Sequence, residues 1–149
     1  MSISAQKEAV KIYNPQVNAK QDIKDAVSKA KAEGKNVFIQ IGGNWCSWCV
    51  MLHKFYTSEP QIDSMLNANY VVYLLNYSKE NKNLDVLADF DYPQRFGYPA
   101  IVILDSEGNR IHTQNTVYLE EGRGYNKKVF MGFLHDWSPA AIDPKNYKK

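Results

Sequence analysis

Apolar side chains recur every three to four residues in several stretches of this chain, and each such stretch predicts a helix. The first stretch is residues 22–35, DIKDAVSKAKAEGK, whose apolar positions are Ile23, Ala26, Val27 and Ala30. Gly34 follows them, where a glycine commonly ends a helix. Further helices are predicted over residues 50–58, 59–69, 81–90 and 126–137.

The C-terminal part of the chain is predicted to contain one packed helix between two irregular segments. In the helix over residues 126–137, we expect Val129, Phe133 and Leu134 to face inward. Residues 120–128, EEGRGYNKK, are predicted to be a flexible loop. The tail after Ser138 is rich in proline and lysine and is expected to be loosely held.

Runs of β-branched and aromatic residues predict the strands. Residues 36–41 (NVFIQI) and 70–77 (YVVYLLNY) are predicted to be buried strands, and Gly42 with Gly43 is expected to end the first. Residues 99–105 (PAIVILD) predict a third strand, and RIHTQ returns beside it after the turn DSEGN.

The order of these elements predicts an α/β fold. Strands separated by helices favour parallel pairing, and the closing hairpin adds an antiparallel edge. We expect one domain over residues 19–138, an extended lead-in over residues 1–18 and a tail over residues 139–149.

Composition narrows the possible classes of function. The chain has 149 residues, enough to bury a core without disulfides. Its net charge of +2 gives no support for binding nucleic acid. No apolar run is long enough to span a bilayer. The N-terminus lacks the apolar region of a signal peptide, although a trimmed export signal would leave a polar lead-in like this one.

The two cysteines of the chain, Cys46 and Cys49, lie in FIQIGGNWCSWCVMLHKF at the predicted start of a helix. The first turn of a helix has unpaired N–H groups and a partial positive charge, and both favour a thiolate. Cys46 is expected to be exposed and to attack a disulfide, and Cys49, on the same helix face, to resolve the product. The spacing therefore predicts a redox pair.

Two other interpretations of the cysteines remain open. Cys46, Cys49 and His53 share one helix face and could bind a metal, although a structural zinc site needs a fourth ligand. The cysteines could also be buried and inert. Haem attachment needs a histidine directly after the second cysteine, and Val50 occupies that position.

Each cysteine follows a tryptophan, and the two indoles are expected to differ. Trp45 is predicted to pack structurally. Trp48 is predicted to point outward beside Cys46, where its indole could receive an apolar residue of a substrate or partner. Simple packing at the edge of the site is the alternative for Trp48.

At this point the chain resembles the thioredoxin superfamily, over residues 22–137. The matching motifs are VFIQIGGNWCSWCVML and, about fifty residues later, RFGYPAIVILDSEG. The resemblance is greatest to bacterial thioredoxin-like proteins with a Trp-Cys-x-Trp-Cys centre. It implies a three-layer α/β/α sandwich with a central mixed sheet of about four strands and an N-terminal extension. It also implies that Pro99 is the cis-proline and that Tyr98 presents its backbone to an extended substrate.

The chain departs from thioredoxin at two places. Ser47 and Trp48 stand between the cysteines where thioredoxin has Gly-Pro, and these residues help to set the redox potential. Gln40 stands where thioredoxin has a buried acid that helps to deprotonate the resolving cysteine. Glutamine cannot act as a base, so mixed disulfides are expected to live longer here.

The function expected from these observations is thiol–disulfide exchange on protein substrates. Cys46 and Cys49 would be catalytic, and Trp45, Trp48, Tyr98 and Pro99 would bind substrate. No cofactor or metal is expected, but a redox partner must recharge the pair. The alternative is a thioredoxin-fold binding or assembly module that docks partners without turnover. We expect a monomer in the bacterial envelope or periplasm, with the cytoplasm as the alternative location.

Overall fold

The computed structural model describes residues 10–148, so residues 1–9 of the predicted lead-in and residue 149 of the predicted tail lie outside the described range. The first half contains α1 (Ala19–Glu33), β1 (Asn36–Gly42), α2 (Ser47–Ser58), α3 (Pro60–Asn69), β2 (Tyr70–Asn76) and α4 (Leu84–Asp89). The second half contains β3 (Ala100–Leu104), β4 (Arg110–Asn115), β5 (Glu120–Glu121), β6 (Gly124–Tyr125), α5 (Lys127–Asp136) and α6 (Pro139–Ile142). Within the described range, no helix is both long and apolar enough to cross a bilayer.

The central sheet is mixed and has the strand order β2-β1-β3-β4. β1 lies parallel to β2, with Asn36 opposite Tyr70. β3 runs antiparallel to both β1 and β4. The predicted four-stranded mixed sheet is therefore confirmed.

The expectation of parallel pairing fails for β3. Ala100, at the start of β3, pairs with Ile41 near the end of β1, and Leu104 pairs with Val37. The short helix α4 and the 3-10 turn Pro93–Phe96 do not carry the chain back along the sheet. The third strand therefore enters at the edge where β2 ended and runs in the opposite direction.

Helices cover both faces of the sheet, which confirms the predicted three-layer sandwich. One apolar cluster joins α1 and α4 to side chains of β1 that include Val37, Ile39 and Ile41. A second cluster joins α2, α3 and α5 to Phe38, Ile101 and Ile103. Because every residue of β1 is buried, this strand is the centre of the domain.

Local capping explains where the first helix begins and ends. The side chain of Asn18 accepts a hydrogen bond from the N–H of Gln21 at 3.1 Å, which satisfies a free donor of the first turn. Gly34 then takes the left-handed conformation, with φ of 68°, that ends helices at low cost for glycine. The predicted helix is confirmed, and it begins three residues earlier than the pattern suggested.

The C-terminal part corrects two expectations, for α5 and for the predicted loop. The buried residues of α5 are Phe130, Phe133 and Leu134, whereas Val129 is exposed, because the inward face of the helix starts one position later. The predicted loop over residues 120–128 instead contains the hairpin of β5 and β6. The described part of the tail forms α6 and a 3-10 turn, Pro144–Asn146.

Candidate active site

The sulfur atoms of Cys46 and Cys49 are bonded to each other, and their Cα atoms lie 5.2 Å apart. Cys46 is the N-cap of α2, and Cys49 lies in its first turn. Cys49 is fully buried, and Cys46 has an exposed fraction of 7%. The expectation of an exposed Cys46 is therefore wrong for this oxidised state, because neighbouring side chains cover most of its surface.

The start of α2 favours negative charge on Cys46. Its sulfur accepts a hydrogen bond from the backbone N–H of Cys49 at 3.2 Å. The first turn of the helix contains no acidic residue that would oppose a thiolate. A thiolate at this position would receive a stronger, charge-assisted hydrogen bond and the favourable field of the helix N-terminus.

Pro99 and Tyr98 lie beside the cysteines, although they are about fifty residues away in sequence. The Tyr98–Pro99 peptide bond is cis, the geometry that the resemblance implies. The hydroxyl of Thr116 donates a hydrogen bond to the Pro99 carbonyl at 2.6 Å. The half-buried side chain of Tyr98 packs against the buried cluster that contains both cysteines.

The expected structural packing of Trp45 is wrong, whereas Trp48 takes its alternative position, packed at the edge of the site. Trp45 is exposed by 57%, whereas Trp48 is half-buried, with its ring centroid 5.5 Å from that of Tyr125. Trp45 precedes the helix, so the turn directs it outward. Trp48 lies on the face of α2 that meets the hairpin of β5 and β6. The outward indole beside the disulfide is therefore Trp45.

Trp45, Tyr77 and Tyr98 form a partly exposed group that we name the aromatic surface. The rings of Tyr77 and Tyr98 stack with centroids 4.9 Å apart, and the ring of Trp45 meets Tyr98 edge-on at 5.5 Å. The Trp45 indole N–H donates to the carbonyl of Tyr77 at 2.7 Å. A Cβ on Gly43 would lie 2.6 Å from this carbonyl oxygen, so the close approach requires glycine.

The N-terminal segment around Tyr13 is part of the site, which was not expected from the sequence. Asn44 holds it: the side-chain oxygen of Asn44 accepts from the N–H groups of Ile12 and Tyr13 at 2.8 and 2.9 Å. The Asn44 amide also donates to the Tyr13 carbonyl at 2.9 Å. Tyr13 is buried against both cysteines. The only available signal was an aromatic residue in a polar segment, and that pattern does not indicate where the residue packs.

Gln40 lies under the disulfide in a filled hydrogen-bond network. Its amide donates to the Tyr13 hydroxyl at 2.7 Å and to the Cys49 carbonyl at 2.9 Å. Its side-chain oxygen accepts from the Tyr56 hydroxyl at 2.7 Å. Burial raises the pKa of Tyr13 and of Tyr56, so both phenols are neutral. The side chains of this network are one amide and two neutral phenols, and none is a carboxylate.

His53 is placed away from any cluster of metal-binding groups. Its ring lies edge-on to Tyr56, with centroids 5.5 Å apart, and partial burial lowers its pKa. Over residues 10–148, no three histidine, cysteine or acidic side chains are grouped as metal ligands. His53, which is itself a residue of α2, instead packs against the ring of Tyr56 one turn later.

Comparison with known proteins identifies the family. A family model described as thioredoxin-like matches residues 18–106, which is more than half of the chain. The chain belongs to the thioredoxin-like family. The match includes the cysteine pair, the aromatic surface and Pro99.

Relatives of this thioredoxin-like chain are distant. The thiol:disulfide interchange protein DsbD of Colwellia psychrerythraea is 26% identical over 101 residues, which are 68% of this chain and 16% of that protein. Spermatogenesis-associated protein 20 of Rattus norvegicus is 36% identical over 47 residues, which are 32% of this chain and 6% of that protein. The chain thus spans only a small part of these relatives.

Solved structures of the family confirm the fold. The disulphide isomerase of Xylella fastidiosa Temecula1 superposes with a TM-score of 0.75 at 21% identity, covering 87% of this chain and 98% of that chain. A DsbH oxidoreductase superposes with a TM-score of 0.60 at 16% identity, covering 96% of this chain and all of the other. At these identities, the likeness shows the architecture.

Proposed function

We propose that this chain is a thiol–disulfide oxidoreductase that acts on protein disulfides or thiols through Cys46 and Cys49. The observation that carries the proposal is the bonded pair at the N-terminus of α2, in which Cys46 is the more exposed residue. Cys46 sits where the helix favours a thiolate. The named activity of DsbD, to which the chain is similar, also supports it.

In the reducing direction, the Cys46 thiolate attacks a substrate disulfide and forms a mixed disulfide. One substrate sulfur leaves with the electron pair and takes up a proton. Cys49 then loses its proton and attacks Cys46, which forms the Cys46–Cys49 bond and releases the second substrate thiol. The substrate gains two electrons, and a redox partner must return two electrons to the pair. In the oxidising direction, the same steps run in reverse.

Substrate is proposed to bind across the aromatic surface and the segment that contains Pro99. Trp45 offers an exposed apolar face beside Cys46, and the backbone at Tyr98 would pair with an extended substrate strand. An open cleft of about 620 Å³ adjoins Trp45 and is lined also by Tyr13 and Asn44. Trp48 would contribute at the other side of the disulfide, where it already packs on Tyr125.

The first test is the redox equilibrium of the cysteine pair in defined thiol and disulfide buffers, followed by tryptophan fluorescence. A reversible two-electron transition is expected. A reduction potential of about −270 mV would indicate a reductase, and a potential of about −120 mV would indicate an oxidant or isomerase. Failure to form the disulfide reversibly at any potential would overturn the proposal.

A binding module is the second candidate, because Cys46 is largely covered while Trp45 remains exposed. The two functions differ in their dependence on the thiols. Exchange predicts that a Cys49→Ser variant traps substrates as mixed disulfides on Cys46. Docking alone predicts that a partner captured by the native chain is still captured after both cysteines are replaced by serine.

We further propose that the domain works in the bacterial cell envelope. Protein disulfides form and persist in such an oxidising compartment, which would supply substrates for the pair. Fractionation of cells that express the native gene would test this. Recovery with envelope markers is expected, and recovery with cytoplasmic markers would support the alternative location.

A further inference from the structure

Tyr13 is a buried residue that the exchange steps described above do not use. Its exposed fraction is 3%, and it packs in one cluster with Cys46 and Cys49. Three hydrogen bonds to Asn44 fix its backbone and that of Ile12. Because Asn44 lies in the loop between β1 and the cysteines, the loop that presents the cysteines also positions Tyr13.

The hydroxyl of Tyr13 uses its acceptor side for Gln40. The Gln40 amide donates to it at 2.7 Å, and the Gln40 oxygen is already occupied by the Tyr56 hydroxyl. A phenol can accept and donate at the same time. The hydrogen of Tyr13 is therefore available for an acceptor other than Gln40.

Gly42 shows that the Cys49 sulfur lies near the Tyr13 hydroxyl. A Cβ built on Gly42 would collide with the Cys49 sulfur and would lie 2.9 Å from the Tyr13 oxygen. The backbone of Gly42 does not have the positive φ that requires glycine. Its missing side chain instead leaves room for the hydroxyl and the sulfur to occupy the same small space.

We propose that the Tyr13 hydroxyl donates a hydrogen bond to the Cys49 sulfur when the pair is reduced, and so stabilises the resolving thiolate. This inference rests on the proposed exchange function. A hydrogen bond to an anion is stronger than one to a neutral thiol, so the contact favours ionisation of Cys49. The Gln40 amide donates to the Tyr13 hydroxyl and to the Cys49 carbonyl, which leaves the hydrogen of the Tyr13 hydroxyl to stabilise the thiolate.

The proton of Tyr13 is not consumed in this step. Cys49 loses its own proton, its thiolate attacks the Cys46 sulfur of the mixed disulfide, and the Cys46–Cys49 bond forms. The bond to the substrate breaks, and the released substrate sulfur keeps the electron pair and takes up one proton. Burial raises the pKa of Tyr13, which keeps its hydroxyl protonated while Cys49 is ionised.

The test follows the titration of Cys49 in a Cys46→Ser background, where no disulfide can form. The ¹³C shift of the Cys49 Cβ reports its ionisation even though the sulfur is buried. Tyr13→Phe removes only the hydroxyl and is expected to raise the pKa of Cys49 by about one unit. Tyr73→Phe is the matched control, since its hydroxyl bonds Asp22 on α1, away from the disulfide.

Asn44→Ala provides a second route if Tyr13→Phe does not fold. It removes the hydrogen bonds that hold the segment and should raise the pKa of Cys49 in the same direction. If the pKa of Cys49 is equal in Tyr13→Phe and Tyr73→Phe, the proposed role of Tyr13 is overturned. If only Asn44→Ala folds, an unchanged pKa of Cys49 in that variant overturns it. The native pair is titrated in redox buffer alongside. If that pair never cycles, the exchange function itself fails, which is a separate result.

Discussion

At the scale of single residues, the site depends on side chains whose hydrogen bonds are already complete. Gln40 is bonded to Tyr13, Tyr56 and the Cys49 carbonyl, so it can position Cys49 but cannot take its proton. The two tryptophans also have different environments. Trp45 is exposed, whereas Trp48 packs on Tyr125. Residue type alone would not separate these roles.

Replacing Gln40 should change the lifetime of the mixed disulfide. Gln40→Asp introduces a base near Cys49 and is expected to shorten the lifetime of a Cys46-linked substrate by about tenfold or more. Gln40→Asn has the same shape without the charge and serves as control. Lifetimes are measured by rapid quenching and mass spectrometry. Equal lifetimes in the two variants would show that proton removal from Cys49 does not limit resolution.

The two tryptophans should separate stability from substrate binding. Trp48→Ala removes the packing on Tyr125 and is expected to lower the free energy of unfolding by about 2 kcal/mol. Trp45→Ala is expected to cost less than about 1 kcal/mol and to slow exchange with a protein substrate. Urea unfolding and exchange kinetics measure these effects. A larger loss of stability in Trp45→Ala would contradict the assigned packing.

At the scale of elements, α2 links the cysteines to the core beneath them. Its N-terminus carries the disulfide, and its buried residues, Leu52 and Tyr56, pack into the sheet. Tyr56 reaches back to Gln40 on β1. The helix therefore fixes the disulfide relative to the central strand, and the groups under it contribute to stability.

His53, on α2, should make stability depend on pH. Burial lowers its folded pKa below the unfolded value of about 6.5, so the unfolded chain binds the proton first as the pH falls. Stability is then fully present above about pH 6.5 and is lost as the pH falls through that value toward the lower folded pKa. Urea unfolding between pH 7.5 and about 5 should show this loss, and His53→Phe should reduce it. An equal pH slope in both proteins would contradict the effect.

At the scale of the whole molecule, the fold brings distant segments to one edge of the sheet. β1 ends beside β2, and β3 begins there after Pro99. Tyr13, the cysteines and Tyr98 meet at this edge, although they are distributed over more than eighty residues. The antiparallel entry of β3 is what places Pro99 next to the disulfide.

The domain is predicted to be a monomer in solution. One of the two edge strands, β4, has the polar sequence RIHTQN, and its pairing with β3 shifts register between Ile103 and Leu104. Polar edges and irregular pairing disfavour the addition of another strand. Analytical ultracentrifugation should give a mass near 17.1 kDa. A dimer that forms at micromolar concentration would contradict this expectation.

Local sequence patterns were enough to predict most of the helices and strands and the cysteine motif. Helical and strand periodicities are local, so they located α1, β1, α2 and the hairpin of β3 with β4. The position of the cysteine pair at the start of a helix also followed from local pattern, and the two separated motifs carried the resemblance to the family. These features depend on neighbouring residues, which is why they could be predicted.

The distant groups that meet at the site could not be predicted from local patterns. The direction of β3 depends on where its connection returns, which periodicity does not encode. The exposure of Trp45 depends on its contacts with Tyr77 and Tyr98, and the role of Tyr13 depends on Asn44 and Gln40, 31 and 27 residues away. Such contacts are fixed by packing across the whole domain, because each partner is positioned by a different element.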